Sequence, residues 1–262
     1  MDTDAVLMLL QDVAEEFINP RFRSLAAEQV MEKGPGDLVT VADREAEEEI
    51  TRALGSAYPD AVILGEEATA ADSTIVERYR VADHAFTIDP IDGTKNFVHG
   101  SPDHAVMVAE LRAGDCVRSW IWQPQHRRAY VAERGAGLWL DGGRLYRVGV
   151  SATPSAIRAV TSMRPWLGYA LGDIPPLELT WVCCGVDYPR LIEGAADVVI
   201  YGGTFPWDHA PGTLMVQEAG GYVGTFQGTA YDPREQPNGI LVCGDRPTYD
   251  LVLPRVADLP TR

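Results

Sequence analysis

Asp89-Pro90-Ile91-Asp92-Gly93-Thr94-Lys95-Asn96-Phe97 decides how the rest of the chain is read, because charge, backbone geometry and a hydroxyl are all specified within a few residues. Phe86-Thr87-Ile88, just before it, is β-branched and aromatic and predicts a strand that delivers Asp89 to its end. A turn should follow at once. Pro90 fixes its own φ and biases Asp89 towards an extended conformation, and Gly93 is a position where positive φ or close backbone approach costs little. Two carboxylates on so stiff a hook repel and raise each other's pKa unless something positive lies between them, and hard oxygen ligands at a turn suit Mg²⁺. An isolated Asp-Gly would do no more than accept turn hydrogen bonds; here the whole stretch is patterned.

Composition narrows the rest. The chain has 262 residues and 46% hydrophobic content, enough for one large domain or two smaller ones sharing a cleft around a packed core. Its formal net charge of −16 argues against contact with a nucleic-acid polymer, which runs on clustered Lys and Arg. A small anionic substrate stays possible if bound cations attract it against the protein's own field. Cys116, Cys183, Cys184 and Cys243 have no zinc-binding spacing and are expected to be free thiols. Asp2 and Asp4 precede a short apolar run where an export signal needs positive charge, and no stretch approaches the ~20 apolar residues of a membrane span. A cytoplasmic protein without membrane contact is expected.

In chain order, Val6, Leu9, Leu10, Val13 and Phe17 predict a helix over 4–17 that Pro20 stops, and residues 32–37 read as a flexible loop. Thr40 is placed to cap a helix over 42–54 with Asp43 in its first turn; Ala46, Ile50, Ala53 and Leu54 face inward, and Arg44, Glu45, Glu47 and Glu48 form a solvated face. A short strand at 62–64 leads to Gly65-Glu66-Glu67. Apolar runs at 105–110, 117–122, 128–132, 138–140 and 145–150, separated by Gly-Asp, Arg-Gly and Asp-Gly-Gly, predict an antiparallel meander. Beyond it come strands at 157–160, 181–182 and 198–201 and a helix over 211–219, with Asp208 at its entrance, where in isolation it would read as an N-cap, and Pro211 in its first turn. His99, His104 and His209 have no metal-ligand spacing and read as neutral, hydrogen-bonded side chains. The fold class is α+β, with an N-terminal half (1–150) built on an antiparallel sheet and a C-terminal α/β half (151–262).

Three separated motifs carry a resemblance. Asp89-Pro90-Ile91-Asp92-Gly93-Thr94 with Asn96-Phe97, Gly65-Glu66-Glu67 upstream, and Trp207-Asp208-His209-Ala210-Pro211-Gly212 running into Glu218-Ala219-Gly220-Gly221 downstream resemble the inositol monophosphatase family. Asp37-Leu38-Val39-Thr40 with Asp43 adds to it, and the likeness runs from about residue 33 to about residue 244. The resemblance implies a layered αβαβα sandwich, a homodimer, two or three Mg²⁺ ions and lithium-sensitive hydrolysis of a small polyol or sugar phosphate by a metal-activated water. It implies that Glu66, Asp89 and the Ile91 carbonyl hold one ion and Asp89, Asp92 and Asp208 a second, while Lys33 and Asp37 help hold a third. Glu66 and Thr94 would orient the attacking water, Asp43 would orient Thr94, and Glu67 would support them. The Gly93 and Thr94 amides would cradle the phosphate; Asp92, Asp208, Cys183, Cys184 and Tyr201 would meet the substrate. The chain departs from the family at Val182-Cys183-Cys184, where a small Gly-Ser/Thr-Ala segment is usual, and at Tyr201, where inositol-specific members carry a glutamate. Histidinol phosphate, fructose bisphosphate and 3′-phosphoadenosine 5′-phosphate are therefore alternative substrates. A noncatalytic interaction protein on the same fold is the competing class, and it predicts eroded ligands.

Overall fold

The computed structural model describes residues 1–34, 37–147, 149–150 and 153–260, without the side chain of Asp37. Its first half contains α1 (Thr3–Val13), β1 (Val30–Gly34), β2 (Asp37–Thr40), α2 (Val41–Ala57), β3 (Val62–Gly65), α3 (Glu66–Ala71), α4 (Thr74–Val81), β4 (His84–Asp92) and α5 (Thr94–Val98). A meander follows, made of β5 (Ala105–Arg112), β6 (Asp115–Gln123), β7 (Arg128–Glu133), β8 (Gly137–Leu140) and β9 (Gly143–Leu145). The second half contains β10 (Ala159–Thr161), β11 (Glu178–Leu179), α6 (Cys184–Ile192), β12 (Val198–Tyr201), α7 (Pro206–Glu218), β13 (Tyr222–Thr225), β14 (Ile240–Cys243) and α8 (Arg246–Val252).

Strand periodicity sorts these elements into layers. Strands β3 to β9 form one seven-stranded sheet in sequence order, parallel only between β3 and β4, and β11-β10-β12-β14-β13 form a mixed five-stranded sheet. Successive side chains of a strand point to opposite faces. On one face of the large sheet, Phe86, Ile88, Val106, Val108, Trp120 and Trp122 pack on Val6, Leu10 and Val13 of α1 and Ile50 and Leu54 of α2. On the other, Ala85, Met107, Ala109 and Ile121 meet Val186 and Leu191 of α6 and Leu214 and Met215 of α7, whose far side lies against Val199, Tyr201 and Val242 of the small sheet. Val198, Ile200 and Leu241 face outward onto Tyr249 and Val252 of α8. The result is a layered α+β sandwich, helix on sheet on helix on sheet on helix, as expected.

Several local readings are corrected. Residues 32–37 do not form an open loop: β1 and β2 pair as an antiparallel hairpin, and Pro35 and Gly36 lie outside the described residues. Glu47 is 4% exposed and does not belong to a solvated face. The strand expected at 145–150 ends at Leu145, and that expected at 181–182 is irregular, with Val182 at φ +57°. Helix α7 begins at Pro206, so Asp208 lies within its first turn and Phe205 takes the N-cap position; Pro211 sits inside the helix, where it leaves the Trp207 carbonyl without its usual N–H partner. All four cysteines are free. Among the described residues no helix is long and apolar enough to cross a membrane.

Two predictions follow from the packing. His104 is fully buried between the rings of Phe22 and Phe97, its Nδ1–H donates to the Ser101 carbonyl, and its Nε2 has no partner among the described residues. Burial holds its pKa down at about 4. The unfolded chain therefore takes up this proton first, so stability is full above the ordinary value near 6.5 and is lost as pH falls towards 4. Between pH 7 and pH 5 the wild type should lose about 2 kcal/mol more than His104→Phe, read from urea unfolding at the two pH values. In the helix layer, a Cβ on Gly212 would lie 2.1 Å from the Tyr188 ring. Gly212→Ala gains up to about 1 kcal/mol of helix propensity but overpacks α6 against α7, and the net effect should be a loss of about 1–3 kcal/mol in the same assay.

Candidate active site

The large sheet and α7 aim carboxylates at one another. Asp89 shares the phase of Ala85 and Thr87 on β4, so it points towards α7. Asp92, three residues on, would leave by the opposite face of a regular strand. It does not, because the β4–β5 register shifts at Pro90–Ile91: Asp89 pairs with Met107 and Asp92 with Ala105, two positions of the same face. Pro90 has no N–H for the ladder, which makes this the place for the bulge. The strand thus runs through to Asp92, beyond its predicted end. Gly93 then turns at φ +80°, where a Cβ would meet the Asp103 carbonyl at 3.0 Å, and α5 opens at Thr94.

One carboxylate oxygen from each of Asp89, Asp92 and Asp208 lies within 4.8 Å of the others. Asp89 is 2% exposed, and its Oδ1 has no hydrogen-bond partner among the described residues. Burial, followed by repulsion from Glu66, Asp92 and Asp208, pushes its pKa well up. Asp208 rises for the same reasons, burial first, then Asp92 and Glu66, and shares a hydrogen bond with Asp89. Asp92 is raised by burial only to about 6, because Cys183, Gly185 and Gly93 donate to it. Buried carboxylate oxygens that repel, one of them unpartnered, fit a hard divalent cation.

Glu66 borders this group as the first residue of α3. Lys33, on the hairpin, reaches it: Nζ lies 2.6 Å from Glu66 Oε1 and 2.8 Å from Glu67 Oε1. Burial opposes the Lys33 charge, but the two glutamates overcome it and hold its pKa above the usual range. Burial raises Glu66 to about 7 against the pull of Lys33. Asp37, expected beside Lys33, has its side chain outside the described residues. The Thr94 hydroxyl lies 3.1 Å from Asp43 Oδ1 and 3.0 Å from the Ile91 carbonyl. Asp43 is 1% exposed, accepts from the Thr40 amide and hydroxyl through its other oxygen, and is raised by burial to about 6. One proton serves two acceptors, so the Thr94 oxygen retains lone pairs for a third partner.

The second half contributes differently from expectation. Cys183 is 3% exposed and donates its thiol to Asp92 Oδ2 at 2.9 Å, an oxygen that also receives the Gly185 amide. Cys183 thus holds a carboxylate in place, and the Gly93 amide likewise bonds Asp92. Tyr201 is 2% exposed; its hydroxyl donates to Asp187, which also accepts the Trp181 amide. The ring, expected to meet a ligand, packs against Tyr188 and His209. Cys184 is partly exposed beside Asp208 and His209, but both His209 nitrogens are engaged, by Tyr188 and by the Gly203 carbonyl. His99 bonds the Lys95 carbonyl. The contacts of Asp187 and Glu47 are not anticipated by the sequence. Glu47 had a signal: Asp43, Glu47, Ile50 and Leu54 share one helical stripe, all buried.

Comparison with known proteins gives the family. The sequence matches the inositol monophosphatase family over residues 2–259. An inositol-1-monophosphatase of Rhizobium meliloti is 36% identical over 231 residues, 83% of this chain and 82% of that protein. The Nus factor SuhB of Pseudomonas aeruginosa is 32% identical over 228 residues, 82% of each chain. Among solved structures, an IMPase of Thermotoga maritima superposes with a TM-score of 0.82 at 25% identity, covering 97% of this chain and 96% of its own. A match along nearly the whole length, with relatives above 30% identity, means that the chain belongs to the inositol monophosphatase family.

Proposed function

We propose that this protein is a magnesium-dependent phosphomonoesterase that hydrolyses a small polyol or sugar phosphate by direct attack of water. The observation that carries the reading is the trio of buried Asp89, buried Asp92 and partly exposed Asp208, with an unpartnered Asp89 oxygen, beside the Thr94–Asp43 pair. Asp89, Asp92 and Asp208 would hold one Mg²⁺, and Asp89, Glu66 and the Ile91 carbonyl another. Bound ions would acidify a water and neutralise charge on the phosphate and the departing alkoxide. The chain's own groups do the rest. Thr94 accepts a water O–H while Asp43, fixed by Thr40, holds the hydroxyl in place. Glu66, now paired with Lys33, would help hold the cation and would orient the attacking water together with Thr94. The Thr94 amide, at the opening of α5, is offered to a phosphate oxygen. Cys183 and Gly185 keep Asp92 turned inward.

With Tyr201 turned onto Asp187, that position supplies no carboxylate for ring hydroxyls. Inositol monophosphate, histidinol phosphate, fructose bisphosphate and 3′-phosphoadenosine 5′-phosphate therefore all belong in the substrate panel. A homodimer in the cytoplasm and a third ion beside Lys33 are part of the same reading.

Similarity to a Nus factor favours a second reading, partner binding without hydrolysis. The complete acidic set argues for the first.

Phosphate release from the panel should require added Mg²⁺, vanish in EDTA and be inhibited by Li⁺; a protein inert towards every member would favour the second reading. Asp89→Asn should lower release by about 10²- to 10³-fold, the scale of several kcal/mol of charge stabilisation. Its metal-free melting temperature should not fall, because the substitution removes one of several repelling buried charges.

A further inference from the structure

We infer that Glu47 is a positioning residue: its carboxylate, reaching from α2, caps α3 in place of a local N-cap and thereby fixes Glu66 for metal binding. The inference rests on the proposed function and adds a residue to it.

Helix α3 begins without a cap of its own. Its N-cap position is Gly65, which has no side chain to accept the amides of the first turn. Those amides are nonetheless bonded. The Glu67 N–H donates to Glu47 Oε2 at 2.8 Å, and the Ala68 N–H donates to Glu47 Oε1 at 2.7 Å. Both oxygens of one buried carboxylate are thus spent on consecutive amides directly after Glu66.

Glycine at 65 and glutamate at 47 require each other. Gly65 has φ −96°, an ordinary value, so backbone conformation gives no reason for glycine there. Space does: a Cβ would lie 2.3 Å from Glu47 Cδ and 2.3 Å from Oε1. A residue able to cap α3 locally would displace the carboxylate that caps it from afar. The remote cap has a benefit that a local one lacks, because α2 also carries Asp43, four residues earlier on the same face, and Asp43 bonds Thr94. Helix α2 therefore braces both groups assigned to the attacking water, the Glu66 end of α3 through Glu47 and Thr94 through Asp43.

The test is calorimetric titration of Mg²⁺ into EDTA-treated, dialysed protein, alongside thermal melts of the metal-free forms and the Mg²⁺ dependence of phosphate release. Glu47→Gln keeps the shape but turns an amide NH₂ towards a backbone N–H. It should weaken Mg²⁺ binding by about 10- to 100-fold, the usual cost of losing a group that orients a ligand, and lower kcat in saturating Mg²⁺. Gly65→Ala should do the same by pushing the carboxylate aside. In the Glu47→Ala background Gly65→Ala should add almost nothing, because the group it would strike is gone. Glu47→Gln or Gly65→Ala with a lowered melting temperature but wild-type Mg²⁺ affinity would reduce Glu47 to a structural cap and overturn the inference. Additive losses in the double variant would overturn it too. A wild type that binds no divalent ion would overturn the proposed function along with it.

Discussion

Repulsion among buried carboxylates is the constraint around which this molecule is built. Asp89 and Asp92 are buried and Asp208 is partly so where the three approach one another, and desolvation raises the pKa of each. A fold assembled for stability alone would put hydrocarbon there. Keeping charge in that place requires rigid elements on every side, and the protein supplies them: β4 paired on both sides within a seven-stranded sheet, α7 clamped between two sheets, and the start of α6 reaching in with an amide and the thiol of its N-cap residue.

Lys33 shows how the same constraint acts on the periphery. Its ammonium lies on Glu66 and Glu67, so the hairpin that carries it is docked by an ion pair with each. The lysine acts as an internal counter-ion for Glu66. Glu47 solves the opposite problem, a carboxylate with no cation, by giving both its oxygens to backbone amides.

Much of this was legible in the sequence. The central motif specified a stiff acidic turn, alternation predicted the meander, and the separated acidic motifs gave the family and its layered fold. What was not legible had physical reasons. Glu47 was assigned to water because glutamates usually are, although helical spacing placed it on the buried stripe with Ile50 and Leu54. Residues 181–182 looked like a strand by composition, but Asn96 ties the Trp181 carbonyl to α5 and the Trp181 amide bonds Asp187, so tertiary contacts override propensity there. The place of Tyr201 in the sequence says where a Cα lies and not that its hydroxyl turns onto Asp187. The hairpin at β1–β2 was hidden because Gly and Pro mark a tight turn as readily as an open loop.

The shift in pairing at Pro90–Ile91 has a consequence for how the chain can vary. Surface loops tolerate changes of length, since closing a slightly longer loop costs little. Between Asp89 and Asp92 the bulge is one extra residue: removing it would restore an uninterrupted pleat with Asp92 still opposite Ala105 and on the same face. The extra residue bends the end of β4 where Gly93 and α5 follow, and that bend, not the facing of Asp92, is what a shorter segment would forfeit.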